Sequence, residues 1–362
     1  MDRSIAAELH RYKLITQVCK RVKTIIPKVR NKSNIVIARY LFVQIGASKN
    51  THDAVFPSDA DDTCLPQILG DVIASNKSEN DSIDVNTDTD EYLLTLCKEL
   101  DLSQQFETCI KEMQQMEHEF NQAEFNIHIE QKNEFGNFIF VTNTENELQG
   151  PRIFVYKALL DKLLDSCVHV ENITQQKSVY LVLLRYLQVL DSGMHQLALF
   201  YKDVFHEPNI TECFASPLNR TCDQFCGAFP DVDSMFKGYL GRFEDLIFQS
   251  DRVYTVNPPY DAKVMEKSSE RVVQVLKTVK NVKIYVTIPI WDHEGLLASY
   301  PPTSHNLFAK YKDQPYPALD ILKKSCFVHK ITIYKRDELP YYDHVNLKTK
   351  YPCASYIIEL LN

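Results

Sequence analysis

Across 362 residues the sequence is 44% hydrophobic and 24% charged, ordinary proportions for a soluble globular chain and enough length for two domains. A formal net charge of −8 excludes a protein that coats nucleic acid as a polycation, so any nucleic-acid contact must rest on a local basic patch. No apolar run reaches the roughly 20 residues that a spanning helix needs, and the N-terminus has no signal-peptide core, so neither membrane nor secretion is expected.

Residues 1 to 32 read as a helix-like basic segment carrying Arg11, Lys13, Lys20, Arg21, Lys23, Lys28, Arg30 and Lys32. Such a segment is either a solvated helix face or a nucleic-acid-facing patch. "SNIVIARYLFVQIG" reads as a strand or a buried helix. Residues 76–91 are polar and acidic without apolar periodicity and are expected to form a surface loop. "EYLLTLCKELDLSQQFETCIKEMQQMEHEFNQAEF" has helical spacing. "FNIHIEQKNEFGNFIFVTN" alternates on either side of Gly136 and Asn137, which predicts a β-hairpin over 125–142. "RIFVYKALLDKLLDSC" and "KSVYLVLLRYLQVLDSG" are apolar-striped and assigned to helix. Residues 1–205 are therefore expected to form a mostly helical domain with one hairpin.

From residue 206 the rhythm changes. "ITECFAS", "RVYTV", "VKIYVTIPI", "CFVHKITIY" and "ASYIIELL" are candidate strands. Val272, Val275, Leu276 and Val279 mark a helix between the second and third of these. Strand, helix, strand in sequence predicts a mostly parallel sheet. "KRDELPYYDHVNLKTKYP" is polar and turn-rich, so the final strand is expected to be antiparallel. The fold class is α/β, with a Rossmann-like domain over 206–362. The stretch from Asn219 to Arg252 is short for two full βα units, so the sheet is either trimmed or completed by the N-terminal hairpin.

Several familiar chemistries are missing. No two of the nine glycines stand as G-x-G, which removes the glycine-rich dinucleotide fingerprint and the Walker phosphate loop. Ten irregularly spaced cysteines fit thiols in a reducing, intracellular compartment. Cys222 and Cys226 form the one close pair, without a second pair at zinc spacing, and no metal is expected.

The chemistry concentrates where "RVYTV" ends in Asn257-Pro258-Pro259-Tyr260. In open α/β sheets ligands bind beyond the carboxyl ends of strands. The nitrogen of an aromatic amine or an amide is a poor nucleophile because its lone pair is delocalised. Accepting hydrogen bonds from its NH2 favours a more pyramidal nitrogen. The side-chain oxygen of Asn257 and the carbonyl of Pro258 are suited to that task. The prolines fix φ and donate no competing N–H, and Tyr260 offers a face for a base to stack on. The methyl donor would be S-adenosylmethionine. Its site is expected earlier, at Ala215, Ser216, Pro217, Leu218 and Asn219, where small residues allow close approach. Asp231 and Asp233 are available to ribose hydroxyls.

"ECFASPLN", "CGAFPDVD", "VNPPY" and "TIPIW", in this order, resemble the catalytic module of the phosphorylated-CTD-interacting-factor family. The resemblance is firm over roughly residues 177–291, weaker toward the C-terminus and loose before residue 125. It implies a cap-specific adenosine N6-methyltransferase using S-adenosylmethionine. The implied substrate is the 2′-O-methylated adenosine next to the cap of messenger RNA. Asn257, Pro258, Pro259 and Tyr260 match the catalytic motif, and Ala215 to Asn219 match the segment that helps form the cofactor pocket. Arg220 and Trp291 are candidate RNA contacts. Tyr254-Thr255-Val256 stands where some members have Phe-Glu-Ala, so an acidic contact at Thr255 is lost. With one tryptophan, the chain is expected to lack the family's WW domain and hence direct polymerase-tail contact through it. The same chemistry on internal adenine of RNA or DNA, or on a protein glutamine, is an alternative. A catalytically inactive binding homologue is another.

Overall fold

A computed structural model describes residues 5–29, 32–47, 55–56, 62–74, 90–122, 127–132, 138–143, 151–171, 173–189, 197–292 and 316–362. The chain divides into two units, Met1–His195 and Gln196–Asn362. The sequence reading puts this boundary slightly later, after residue 205.

The first unit begins with α1 (Ile5–Ile25), α2 (Ser33–Ala47), α3 (Leu65–Ala74), α4 (Asp90–Leu100) and α5 (Leu102–Gln122). "SNIVIARYLFVQIG" is thus helix, not strand. Leu14, Ile15, Val18 and Val22 give α1 its buried stripe, whereas Lys13, Lys20, Arg21, Lys23 and Lys28 are exposed. Arg11 does not belong to that basic face, because it is buried against Glu8. Arg30 and loop residues 76–89 lie outside the described residues. Asp101 separates α4 from α5. Its φ of 43° is left-handed, and its carboxylate accepts the Gln104 N–H at 3.2 Å, so one residue ends a helix and caps the next.

The expected hairpin forms from β1 (Ile127–Lys132) and β2 (Phe138–Asn143), paired antiparallel. Its turn lies outside the described residues. A third strand, β3 (Ile153–Tyr156), pairs with β2. That corrects the all-helical reading of "RIFVYKALLDKLLDSC": Ile-Phe-Val-Tyr is β-branched and aromatic and alternates buried with exposed. The helix α6 (Lys157–Ser166) starts only after it. Next comes α7 (Gln175–Leu184), extended by a π-helical turn, Arg185–Val189.

Arg185 is fully buried. Its guanidinium donates to both oxygens of Glu8, Nε at 2.6 Å and Nη2 at 2.7 Å. Arg11 Nη1 adds a contact of 2.8 Å. This triad ties α1 to the chain's π-turn.

The second unit contains a six-stranded sheet in the order β6-β5-β7-β8-β12-β9 and a three-stranded sheet in the order β11-β10-β4. Its elements are β4 (Leu197–Leu199), α8 (Tyr201–Phe205), β5 (Ile210–Glu212), β6 (Gln224–Phe225), α9 (Pro230–Asp233), β7 (Arg252–Val256) and α10 (Ala262–Thr278). They continue with β8 (Val282–Pro289), α11 (Pro317–Lys323), β9 (Val328–Tyr334), β10 (Tyr341–Asp343), β11 (Lys348–Lys350) and β12 (Ser355–Leu361). Strands β6, β5, β7 and β8 run parallel. The last strand, β12, inserts antiparallel between β8 and β9.

No helix joins β5 to β6, so the sheet is trimmed. The N-terminal hairpin does not complete it, because β1 to β3 form a sheet of their own. One face of the large sheet is apolar, with Val256, Ile284, Val286, Ile288 and Ile358 packed with Met265, Val272 and Leu276 of α10 and Leu319 and Leu322 of α11. The opposite face carries Ile210, Tyr285 and Ile357, packed with Leu199, Tyr201 and Tyr341 from the small sheet and α8.

Glu8→Ala leaves Arg11 and Arg185 buried without their shared carboxylate. It is expected to lower the unfolding free energy by about 3–5 kcal/mol, measured by urea denaturation followed by circular dichroism. A loss below about 1 kcal/mol would show that water or another group replaces the carboxylate.

Candidate functional site

From β5 the chain moves outward to β6 and then returns to β7 on the other side of β5. The reversal falls at the carboxyl ends of β5 and β7, the usual place for a ligand in such sheets. The two ends are pinned together, because the Cys213 N–H donates to the Thr255 carbonyl at 2.9 Å. Asn257-Pro258-Pro259-Tyr260 leaves β7 at this point.

The turn is rigid. The Asp261 N–H donates to the Pro259 carbonyl at 2.7 Å. The Asp261 carboxylate accepts the N–H groups of Lys263 at 3.0 Å and Val264 at 3.4 Å, capping α10. Among the described residues, no hydrogen bond reaches the Pro258 carbonyl.

The amide of Asn257 is polarised by its neighbours. Its Nδ2 donates to the Tyr201 hydroxyl at 3.2 Å. Its Oδ1 is buried and has no partner among the described residues. Tyr260 is half-buried, and its hydroxyl shares a 2.6 Å hydrogen bond with that of Tyr341. Burial pushes the hydroxyls of Tyr201, Tyr260 and Tyr341 well above the ordinary phenol range, so all three stay neutral. Two further buried oxygens, Thr255 Oγ1 and Thr287 Oγ1, lack partners among the described residues. The ladder pairs Val256 with Val286, which puts Thr287 level with Asn257 on the neighbouring strand.

At Thr255, where the family resemblance removes an acid, the facing residue in the ladder is Glu212. Glu212 is buried, and its Oε2 accepts the N–H groups of Thr221 at 2.9 Å and Cys222 at 3.3 Å.

The segment after β5 is a turn, not a helix start. Asn219 Oδ1 accepts from the Ser216 N–H at 2.7 Å, and its Nδ2 donates to the Leu197 carbonyl at 3.2 Å. Ser216, Pro217 and Leu218 are buried, whereas Ala215 and Asn219 are partly exposed. Past β6, Asp233 is fully buried and accepts the Phe229 N–H at 2.9 Å. Only glycine fits at 227, where a Cβ would stand 2.2 Å from the Asp233 carboxylate. Asp231 is also buried, on the same short helix α9.

The two candidate RNA contacts sit differently. Arg220 lies over the Phe225 ring and donates to the Cys222 carbonyl at 3.1 Å. Trp291 is a core residue stacked on Tyr316, with ring centroids 5.5 Å apart. Tyr201, Tyr341 and Glu212 were not anticipated as site residues. Tyr201 and Tyr341 meet the motif across 56 and 81 residues of chain, and no local pattern encodes such contacts.

Fold and site together define an α/β chain with an Asn-Pro-Pro-Tyr turn at the reversal of its mostly parallel sheet. The sequence model described as "Phosphorylated CTD interacting factor 1 WW domain" matches residues 156–342, more than half of the 362 residues, and the chain belongs to this family. The description names a WW domain, so the expectation of a chain lacking one is corrected on that point. That expectation rested on the single tryptophan, Trp291, which lies within the matched residues.

The chain is similar to an mRNA (2'-O-methyladenosine-N(6)-)-methyltransferase of Mus musculus, 36% identical over 81 residues, covering 22% of this chain and 11% of the relative. It is also similar to the Homo sapiens protein of that name, 32% identical over 118 residues, covering 32% of this chain and 14% of the relative. The aligned residues thus span only a small part of the length of these relatives. No helix among the described residues is long and apolar enough to cross a membrane.

Asp261→Ala removes the cap of α10 and is expected to cost about 1 kcal/mol in thermal unfolding, with Asp261→Asn retaining most of it. An equal loss in both variants would show that the charge, not the cap, is what matters. The raised phenols give a second expectation. Their stabilising effect is complete below the ordinary tyrosine pKa of about 10. It is lost as pH rises toward their folded values, because the unfolded chain releases those protons first. Tyr341→Phe is therefore expected to flatten the fall in unfolding free energy above about pH 10, read from urea titrations at stepped pH. An unchanged slope would mean that the hydroxyl is no better shielded than an exposed one.

Proposed function

We propose that this chain transfers a methyl group from S-adenosylmethionine to N6 of the 2′-O-methylated adenosine next to the cap of messenger RNA. The reading rests on the family membership and on one observation: the buried Oδ1 of Asn257 at the carboxyl end of β7, without a partner among the described residues. A buried acceptor without a donor costs about 1–3 kcal/mol. An amine N–H arriving there would remove that cost. The Pro258 carbonyl is the second acceptor, and Tyr260 is the stacking face for the adenine.

When bound, S-adenosylmethionine supplies an electrophilic sulfonium methyl. Ala215 and Ser216 to Asn219, at the carboxyl end of β5, would hold it, with Asp231 and Asp233 as candidates for its ribose hydroxyls. Asp233 and the Asn219 amide already take part in hydrogen bonds within the fold. Asn257 and Pro258 orient the amine nitrogen and withdraw its hydrogens from the ring plane, while the half-buried turn limits water. The new N–CH3 bond would form as the sulfonium S–CH3 bond breaks, with S-adenosylhomocysteine leaving; the methylated nitrogen, then cationic and acidic, would give one proton to water, so no strong base is required. The positively charged cap base would seek an aromatic face, and Arg220 is the candidate for a backbone phosphate. An RNA substrate places the reaction inside the cell.

The test is transfer from radiolabelled S-adenosylmethionine to short RNAs beginning with adenosine, capped or uncapped and with or without the 2′-O-methyl group. Transfer is expected only to capped RNA, with Asn257→Ala reducing kcat by about 100-fold or more. Equal transfer to uncapped RNA or DNA would move the assignment to internal adenine. No transfer to RNA, DNA or a glutamine peptide, with no donor binding by calorimetry, would overturn the enzymatic reading.

A further inference from the structure

The small β11-β10-β4 sheet has no part in the parallel scaffold, yet it delivers two hydroxyls to the motif. Tyr201 opens α8, just past β4 and Phe200, and Tyr341 opens β10; β4 and β10 pair with each other, Tyr341 opposite Leu199. Tyr201 and Tyr341 belong to one core cluster with Leu199, Ile210, Tyr285 and Ile357, and both are nearly inaccessible. Their hydroxyls therefore have little freedom. One accepts from Asn257 Nδ2, and the other meets the Tyr260 hydroxyl.

An asparagine amide rotated by 180° about its terminal bond exchanges donor for acceptor at almost no steric cost. Nothing within Asn-Pro-Pro-Tyr forbids that rotation. In this structure the Tyr201 hydroxyl engages the Nδ2 end. With Nδ2 engaged there, Oδ1 is left as an acceptor. At Tyr260 the hydroxyl pair anchors the far end of the ring.

We infer that Tyr201 and Tyr341 are positioning residues of the site: Tyr201 anchors the Asn257 amide through Nδ2, and Tyr341 anchors the hydroxyl end of Tyr260. The substrate part of this inference rests on the methyl-transfer reading; the anchoring of the amide does not. Neither tyrosine touches the reacting atoms. The Asn257 amide also bonds the Tyr341 hydroxyl, so the losses differ in weight: Tyr201→Phe acts mainly on kcat and Tyr341→Phe mainly on substrate KM.

The experiment uses the full chain with Tyr201→Phe and Tyr341→Phe. Tyr201→Phe is expected to lower kcat roughly 10- to 100-fold, with donor affinity unchanged. Tyr341→Phe is expected to raise the KM for RNA about 3- to 10-fold with a smaller change in kcat. Both should melt within about 2–4 °C of the wild type, the effect of one hydrogen bond in a chain of this size. A second readout needs no turnover. In protein labelled with 15N-asparagine, the side-chain NH2 pair absent from Asn257→Asp is assigned to Asn257. That pair should shift in Tyr201→Phe and hold its place when only exposed tyrosines are changed. An unmoved pair, or an unchanged kcat in an active Tyr201→Phe, would overturn the inference. If the wild type transfers no methyl group, the functional reading fails, and the NMR comparison still decides the positioning role.

Discussion

The amide of Asn257 has a donor end and an acceptor end, and the Tyr201 hydroxyl engages the donor end. The acceptor end is buried and without a partner among the described residues. Folding alone would not favour this, since an unsatisfied buried acceptor costs about 1–3 kcal/mol. The backbone that carries the amide is held from several sides. Two prolines restrict the backbone, Asp261 anchors the turn to α10, and the Cys213–Thr255 hydrogen bond holds β5 beside β7.

The two faces of the large sheet divide the work. Strand alternation sends Val256, Val286, Ile288 and Ile358 to the face covered by α10 and α11, where apolar packing gives the sheet its support. It sends Glu212, Thr255 and Thr287 to the other face, with Tyr285 and the tyrosines of the small sheet. Thr255 has a physical rationale in this arrangement. A carboxylate there would stand directly across the ladder from Glu212, two buried like charges in adjacent strands, which is unfavourable. Threonine keeps a polar oxygen at the position without the second charge. The carboxylate of this neighbourhood comes from β5, and backbone N–H groups of Thr221 and Cys222 hold it.

What could be read from the sequence depended on whether the determining contacts were local. The strand Arg252–Val256, its Asn-Pro-Pro-Tyr terminus and the apolar stripe of α10 are encoded within a few residues each, and they were legible. The antiparallel final strand was legible because no helical segment separates it from β9. By contrast, β4, β10 and β11 are three residues each and exist through pairing with one another, so no periodicity announces them. "KRDELPYYDHVNLKTKYP" looked like a loop by composition, and the exposed Lys348 and Thr349 of β11 explain why. Ile153–Tyr156 was hidden by the helix that immediately follows it. The site divides in the same way. The motif itself could be named from the sequence, but the residues that aim it, Tyr201 and Tyr341, lie in elements that composition does not reveal. The aspartates beyond β6 were located, yet the hydrogen bond from Phe229 to Asp233 was not, since it depends on a glycine at 227 clearing the space.

Under the methyl-transfer reading these features bear on how the amine is activated. The phenols around the motif are held neutral by burial, and the Glu212 carboxylate is occupied by two backbone donors. A site built to strip a proton from the nucleophile would place an available base at its centre. Here the centre is an amide oxygen and a proline carbonyl, both of which can only accept. Such groups stabilise N–H bonds that point out of the ring plane, and that geometry returns the nitrogen lone pair to the reaction. Selectivity then cannot come from the acceptor pair, which would serve any planar amine of similar reach. It must come from what holds the rest of the substrate, for which Tyr260 and Arg220 are the proposed contacts. The scaffold supplies activation, and its additions to the scaffold supply choice.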